Sequence, residues 1–137
     1  MLQCIMLITI DTSALLAVLM NEAHKQRIIQ LTQGCDLQSP GSLDAEFGNA
    51  LSAMIKRNRI SITDAKRVIQ QFSSVAIRRT AIRMDEAIEL SGKYDLYAYD
   101  AYVLDCAMQY RTPLLSLDKK MGEIAKQLPV QLLEVTK

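Results

Sequence analysis

QCIMLITIDTS, residues 3–13, decides the fold. Residues 3–10 form an apolar run with several β-branched members, the pattern of a strand covered on both faces inside a parallel sheet. The run is too short to span a membrane, lacks the basic n-region of a signal peptide and ends in Asp11, so no membrane segment is expected. Asp11, Thr12 and Ser13 then stand at the carboxyl end of a buried strand, ahead of a helical run from Ala14 to Met20. In parallel α/β sheets that edge is where ligands collect.

Working outward, the chain repeats the strand-then-helix alternation. A second helix is expected over 22–33 and a weak strand over 37–39, closed by Pro40 and Gly41. A helix over 42–56 presents Leu43, Phe47, Ala50, Leu51 and Met54 on one side. Ser61 or Thr63 can cap the next helix, 64–72, and 75–82 reads as a short strand. A short helix over 85–91 ends at Gly92, and a longer one covers 99–111. Pro113 precedes a strand over 114–117, Asp118 caps a helix over 119–127, and a last strand is expected over 130–133. The alternation gives an α/β fold with a mainly parallel sheet, and no linker divides residues 1–137 into more than one domain.

Composition narrows the chemistry. Half the residues are hydrophobic and the net charge is +1, so a buried core is expected and any nucleic-acid affinity must be local. Cys4, Cys35 and Cys106 are odd in number and widely spaced, which points to a reduced, cytoplasmic protein. His24 is the only histidine, so a histidine zinc site or a Ser/His/Asp triad has almost nothing to draw on. If there is a metal here, it is held by oxygen.

Four acids are candidates to carry chemistry, each weighed against an ordinary role. On a helix opened by Asp100, Val103, Leu104, Ala107 and Met108 fall within about 80° of it, so its carboxylate faces inward. The helix N-terminus favours the anion without offsetting its desolvation, and a cationic partner is therefore expected. Asp105 lies about 140° away, beside Gln109, and reads as an ordinary surface charge. Asp11 and Asp118 follow strands and, taken singly, read equally well as N-caps. Periodicity does not decide between Glu46 and Asp44, the latter being sufficiently explained as a charge near a helix start.

The strings IDTSALLAVL, EFGNAL, RISITDAKRVIQQF, YDAYVLDCA and PLLSLD, in that order and spacing, resemble a PIN domain of the VapC toxin type over nearly the whole chain. The resemblance implies a three-layer α/β/α sandwich and a divalent-metal-dependent endoribonuclease. It implies Mg2+, with Mn2+ as a substitute, held by Asp11, Glu46, Asp100 and Asp118. Thr12, Asn49 and Ser116 match supporting positions near the metal. It further implies an RNA substrate, a VapB-type antitoxin as inhibitory partner and a homodimer. One departure is Asp95 in KYDLYAYDA, where the family usually has a Gly-containing or polar turn.

Hard divalent cations take oxygen ligands, and magnesium keeps waters that leave room for a substrate phosphate. Glu46 is either a ligand or an orienter of the attacking water, and one metal or two are both compatible with four acids. Arg59, Lys119 and Lys120 are candidates for phosphate contact, whereas Lys56 and Arg57 fit a solvated helix end. The five tyrosines, all between residues 94 and 110, suit base stacking or burial. Two other classes compete. A PIN-like module that only binds keeps the same acids without catalysis. A receiver-type phosphoacceptor domain needs an acidic pair after its first strand and a late-strand Lys, where this chain has a single Asp11 and Asp118.

Overall fold

The computed structural model describes residues 6–135; the start of the expected first strand, with Cys4, lies outside them. Strand β1 (Leu7–Ile10) leads into helix α1 (Thr12–Leu19), followed by α2 (Lys25–Thr32), β2 (Asp36–Pro40) and α3 (Leu43–Lys56). Next come α4 (Ile62–Ser74), β3 (Ile77–Thr80), α5 (Met84–Tyr94), α6 (Ala98–Tyr110), β4 (Leu114–Leu115) and α7 (Lys119–Ala125). The described strands form one parallel sheet in the order β3-β2-β1-β4. The α/β architecture read from the sequence is the one observed.

Alternation along β1 builds the layers. Ile8 and Ile10 point into a core made with Ala14 and Leu15 of α1, Phe47 of α3 and Phe72 of α4. The Phe47 and Phe72 rings stack with centroids 4.0 Å apart. Thr9, between those isoleucines, points to the opposite face, where its hydroxyl meets Thr112 at 2.6 Å and accepts from Gln38 at 3.0 Å. β4 divides in the same way: Leu115 joins the first core, and Leu114 joins a second one with Leu104 of α6 and Met121 of α7. Helices therefore cover both faces, which is why β1 reads as an uninterrupted apolar run.

Several boundaries differ from the sequence reading for local reasons. Gly92 lies inside α5, which stops instead at Asp95 in the left-handed conformation (φ 56°). The strand expected over 114–117 ends at Leu115, because the Ser116 hydroxyl donates to Asp11 and the Leu117 N–H donates to Ser13 rather than to a strand. With β4 so short, the expected last strand is reduced to one parallel bridge, Leu114 to Leu132.

A larger correction concerns Asp105. It is 5 % exposed and receives two bonds from the Arg83 guanidinium, at 2.6 and 3.0 Å, so it is no surface charge. Helix α6 is buried on nearly every side, Ala101, Val103, Leu104, Cys106 and Ala107 included, because α5 packs over the face that periodicity assigned to solvent.

Candidate metal-binding active site

The carboxyl edge of the sheet collects the acids. Asp11 directly follows β1 and Asp118 comes shortly after β4; these two strands are neighbours, so strand order brings the acids to one edge. Glu46 lies in the first turn of α3 and Asp100 in the first turn of α6.

Asp11 is 4 % exposed and well supplied with donors. Its Oδ1 accepts from Ser13 Oγ at 2.7 Å and from the Ala14 N–H at 3.1 Å, while Oδ2 accepts from Ser116 Oγ at 2.5 Å. Burial still outweighs these bonds and, with the Asp118 charge adding to it, pushes the Asp11 carboxyl up to about 6. Asp118 Oδ1 accepts from the Met121 N–H at 2.9 Å. Both aspartates are thus N-caps, as each reads singly, and both also belong to the cluster.

Thr12 Oγ1 donates to Glu46 Oε1 at 2.7 Å. Burial raises the Glu46 carboxyl against that bond, and the charges of Asp11, Asp100 and Asp118 raise it further. Asp100 is half-buried and raised by burial, then by Asp118, with Lys120 acting in the opposite direction. The expected cationic partner is not an ion pair: among the described residues no salt bridge or hydrogen bond is placed on the Asp100 carboxylate, and Lys120 Nζ donates to the Asp95 carbonyl at 2.6 Å.

Asp44 and Glu46, left undecided by periodicity, separate here. Asp44 is exposed and takes a two-bond contact from Arg79, at 2.9 and 3.2 Å, which lowers its carboxyl. Glu46 faces the other acids. Asp95 has an exposed side chain, and its link to the site runs through its backbone oxygen. Asn49 is exposed one turn beyond Glu46, with no side-chain hydrogen bond among the described residues. Arg59, Lys119 and Lys120 are exposed; Arg59 lines a groove that reaches Ser13 and Leu117 at the margin of the cluster. Of the tyrosines, Tyr97 is 89 % exposed, whereas Tyr110 lies under the Arg78 guanidinium at 4.9 Å.

Sequence reasoning missed Ser13. Its hydroxyl donates to Asp11 and accepts from the Leu117 N–H, tying the two strand ends together. The signal was a hydroxyl two residues after Asp11, in the same DTS string.

The donor set suits a hard cation: the oxygens are carboxylate, and the like charges act on one another without an ion pair to relieve them. No three carboxylate, imidazole or thiol groups among the described residues close into a ready-made cage, and Asp11, Glu46 and Asp118 each turn an oxygen to a protein donor.

Comparison with known proteins agrees with this architecture. A family model described as PIN domain matches residues 8–127. A relative from Mycobacterium tuberculosis named ribonuclease VapC9 is 27% identical over 127 residues, covering 90% of this chain and 96% of its own. The crystal structure of PAE2754 from Pyrobaculum aerophilum superposes with TM-score 0.69 at 20% identity, over 96% of this chain and 92% of that one. The sarcin-ricin loop cleaving toxin VapC20 of M. tuberculosis gives TM-score 0.63 at 14% identity, over 85% and 94% of the two chains. At these identities the two solved structures establish a shared fold.

Proposed function

This chain belongs to the PIN domain family, and from that premise we propose that it is a VapC-type endoribonuclease toxin, acting as a single domain that hydrolyses RNA phosphodiester bonds with a divalent cation. The supporting observation is the convergence of four carboxylates from separate elements: the charges of Asp11, Asp100 and Asp118 all bear on the part-buried Glu46. Helix capping accounts for Asp11 and Asp118 singly, but their convergence with Glu46 and Asp100 raises carboxylates that a bound cation would relieve. Its relative VapC9 is named a ribonuclease, and family membership removes the phosphoacceptor alternative.

In this reading Asp11, Asp100 and Asp118 hold Mg2+ or Mn2+. When bound, such an ion supplies an acidified water and charge stabilisation at the phosphodiester. Ser13 and Ser116 fix the orientation of Asp11. Thr12 occupies one oxygen of Glu46 and leaves the other to complete the ligand set or to take the proton of the attacking water. Arg59, Lys119 and Lys120, at the margin, neutralise RNA phosphates. Among the described residues no helix is long and apolar enough to cross a membrane. A cytoplasmic setting, a VapB-type antitoxin and a homodimer complete the proposal.

Calorimetric titration with manganese tests it. The antitoxin-free chain binds saturably, and Asp100→Asn weakens binding by more than about 100-fold, beyond what outer-shell changes cost. The metal-free variant is as stable as the parent or more so. Absence of binding at millimolar manganese moves the reading to a non-catalytic binding module. A clear loss of metal-free stability in Asp100→Asn assigns Asp100 to structure instead.

A further inference from the structure

A cleft of about 420 Å3 opens beside the acid cluster and shares Ser116, Leu117 and Asp118 with it. That volume lies within the ~300–1,000 Å3 range of small-molecule sites. One wall is a stripe of α7, where Lys119, Gly122, Glu123 and Lys126 follow the spacing of a single helix face. The other wall is the segment carrying Leu132 and Leu133, with His24 at its side.

The walls are chemically unlike. Leu132 and Leu133 pack against the two cores and turn an apolar surface to the cleft, and the half-buried imidazole of His24 joins them. Gly122 sets the width: a Cβ there would lie 3.2 Å from Leu132 Cδ2, so a larger residue pushes the two walls apart or fills the space between them. The rim carries Lys119 and Lys126, both exposed, against Glu123 and Glu134. With charge so balanced, the rim does not collect phosphate by itself. It suits a ligand that presents a flat, largely apolar ring to the leucines and imidazole while a phosphate reaches a lysine.

We infer that this cleft is a nucleotide subsite, which receives the base adjoining the phosphate that a cation held by Asp11, Asp100 and Asp118 would take, with His24 and Leu133 against the ring and Lys126 on the flanking phosphate. The assignment rests on the ribonuclease reading, because continuity of the RNA strand is what carries a neighbouring nucleotide past Asp118 into the cleft. It gives His24 and Lys126 a role that the acid cluster does not. Bases are read in this manner in single-stranded RNA, by stacking on side-chain planes with the backbone held by cations.

Because His24 is the only histidine, its imidazole C–H proton resonances report on the cleft without labelling. The chain, with magnesium present at fixed pH, is titrated with the four ribonucleoside 5′-monophosphates and with inorganic phosphate. At least one nucleotide displaces the His24 resonances saturably in the millimolar range, and inorganic phosphate does not. Lys126→Glu, at an exposed position, weakens the effect by about tenfold or more, the weight of one charge-assisted contact. The inference is overturned if no nucleotide moves His24, if phosphate moves it equally, or if Lys126→Glu leaves the titration unchanged. Asp100→Asn separates the two readings: it disables manganese binding while leaving the His24 response in place, so failure of the cleft and failure of the metal site are read on different signals.

Discussion

Helix α6 carries two aspartates and treats them in opposite ways. Asp105 is 5 % exposed and is held by two bonds from Arg83, so a buried charge meets its complement. Asp100 is half-buried, takes no protein donor among the described residues and lies close enough to Asp118 for that charge to raise its carboxyl. One end of the helix completes an ion pair; the other gathers like charge. Depth of burial therefore does not separate the proposed ligand from the structural acid here. Lack of compensation does, because an unrelieved group of carboxylates is a standing cost that a bound cation removes.

The sharpest way to break that comparison is to deprive Asp105 of its partner. Arg83→Met leaves a buried carboxylate uncompensated and lowers Tm by roughly 10 °C or more, the scale expected when one member of a buried pair is removed. Asp105→Asn costs less, since the remaining guanidinium, with its side chain 41% exposed, stays hydrated. Manganese affinity in both folded variants stays within about twofold of the parent, as expected for an ion pair that bonds none of the proposed ligands. An unchanged Tm in Arg83→Met, or a fall in metal affinity parallel to stability, removes the distinction between the two ends.

At the other end, pH is the lever. Burial holds the Asp11 carboxyl at about 6, above its unfolded value of 3.8. The folded chain keeps a proton there that the unfolded chain has already lost, so this contribution to metal-free stability is fully present below about pH 4 and is lost as pH rises through 6. For Asp11 alone the loss is about 3 kcal/mol. Glu46 and Asp100, also raised, act with the same sign. Asp44, lowered by Arg79, acts oppositely, but its stabilisation is lost only below 3.8 and does not overlap this window. Thermal unfolding in chelator at pH 4 and pH 7 reads the slope, and Asp11→Asn flattens it. Saturating magnesium also abolishes it, because the metal takes the deprotonated ligands. An unaltered slope in Asp11→Asn shows that the raised carboxyl lies elsewhere.

The same contrast explains what the sequence disclosed. The apolar run ending at Ile10 and the alternation after it were enough for a parallel α/β sheet, because burial on both faces is written into composition. Asp105 was misread because periodicity assumes one buried face; Ala101 and Cys106 are too small to announce a second, and nothing local reveals that α5 lies over it. Asp44 and Glu46, two positions apart, differ only in tertiary partners, Arg79 for one and Thr12 for the other. The capping roles of Asp11 and Asp118 were legible residue by residue. The α/β alternation already put both at the carboxyl edge of the sheet; their adjacency depends on β1 and β4 being neighbours, which no local pattern encodes, and the ligand set was reached through the ordered resemblance to a known family.

The smallest effect is the most specific to the metal site. Ser116 is 8% exposed; its hydroxyl donates to Asp11 Oδ2 and accepts the Asp118 N–H at 3.0 Å, so one neutral side chain orients two of the proposed ligands. Ser116→Ala removes a bond to an ionised oxygen, and the Asp11 carboxyl rises further. Outer-shell partners of metal ligands typically matter by about 10–100-fold, and the lower end applies because Ser13 and the Ala14 N–H still hold the other oxygen of Asp11. Manganese affinity at pH 7 therefore falls about tenfold, and part of the loss is recovered at higher pH, where Asp11 is ionised again. Ser116→Thr, which retains the hydroxyl, restores most of the affinity. A loss that pH does not relieve points to displaced backbone at Asp118, and an unchanged affinity removes Ser116 from the support of the site.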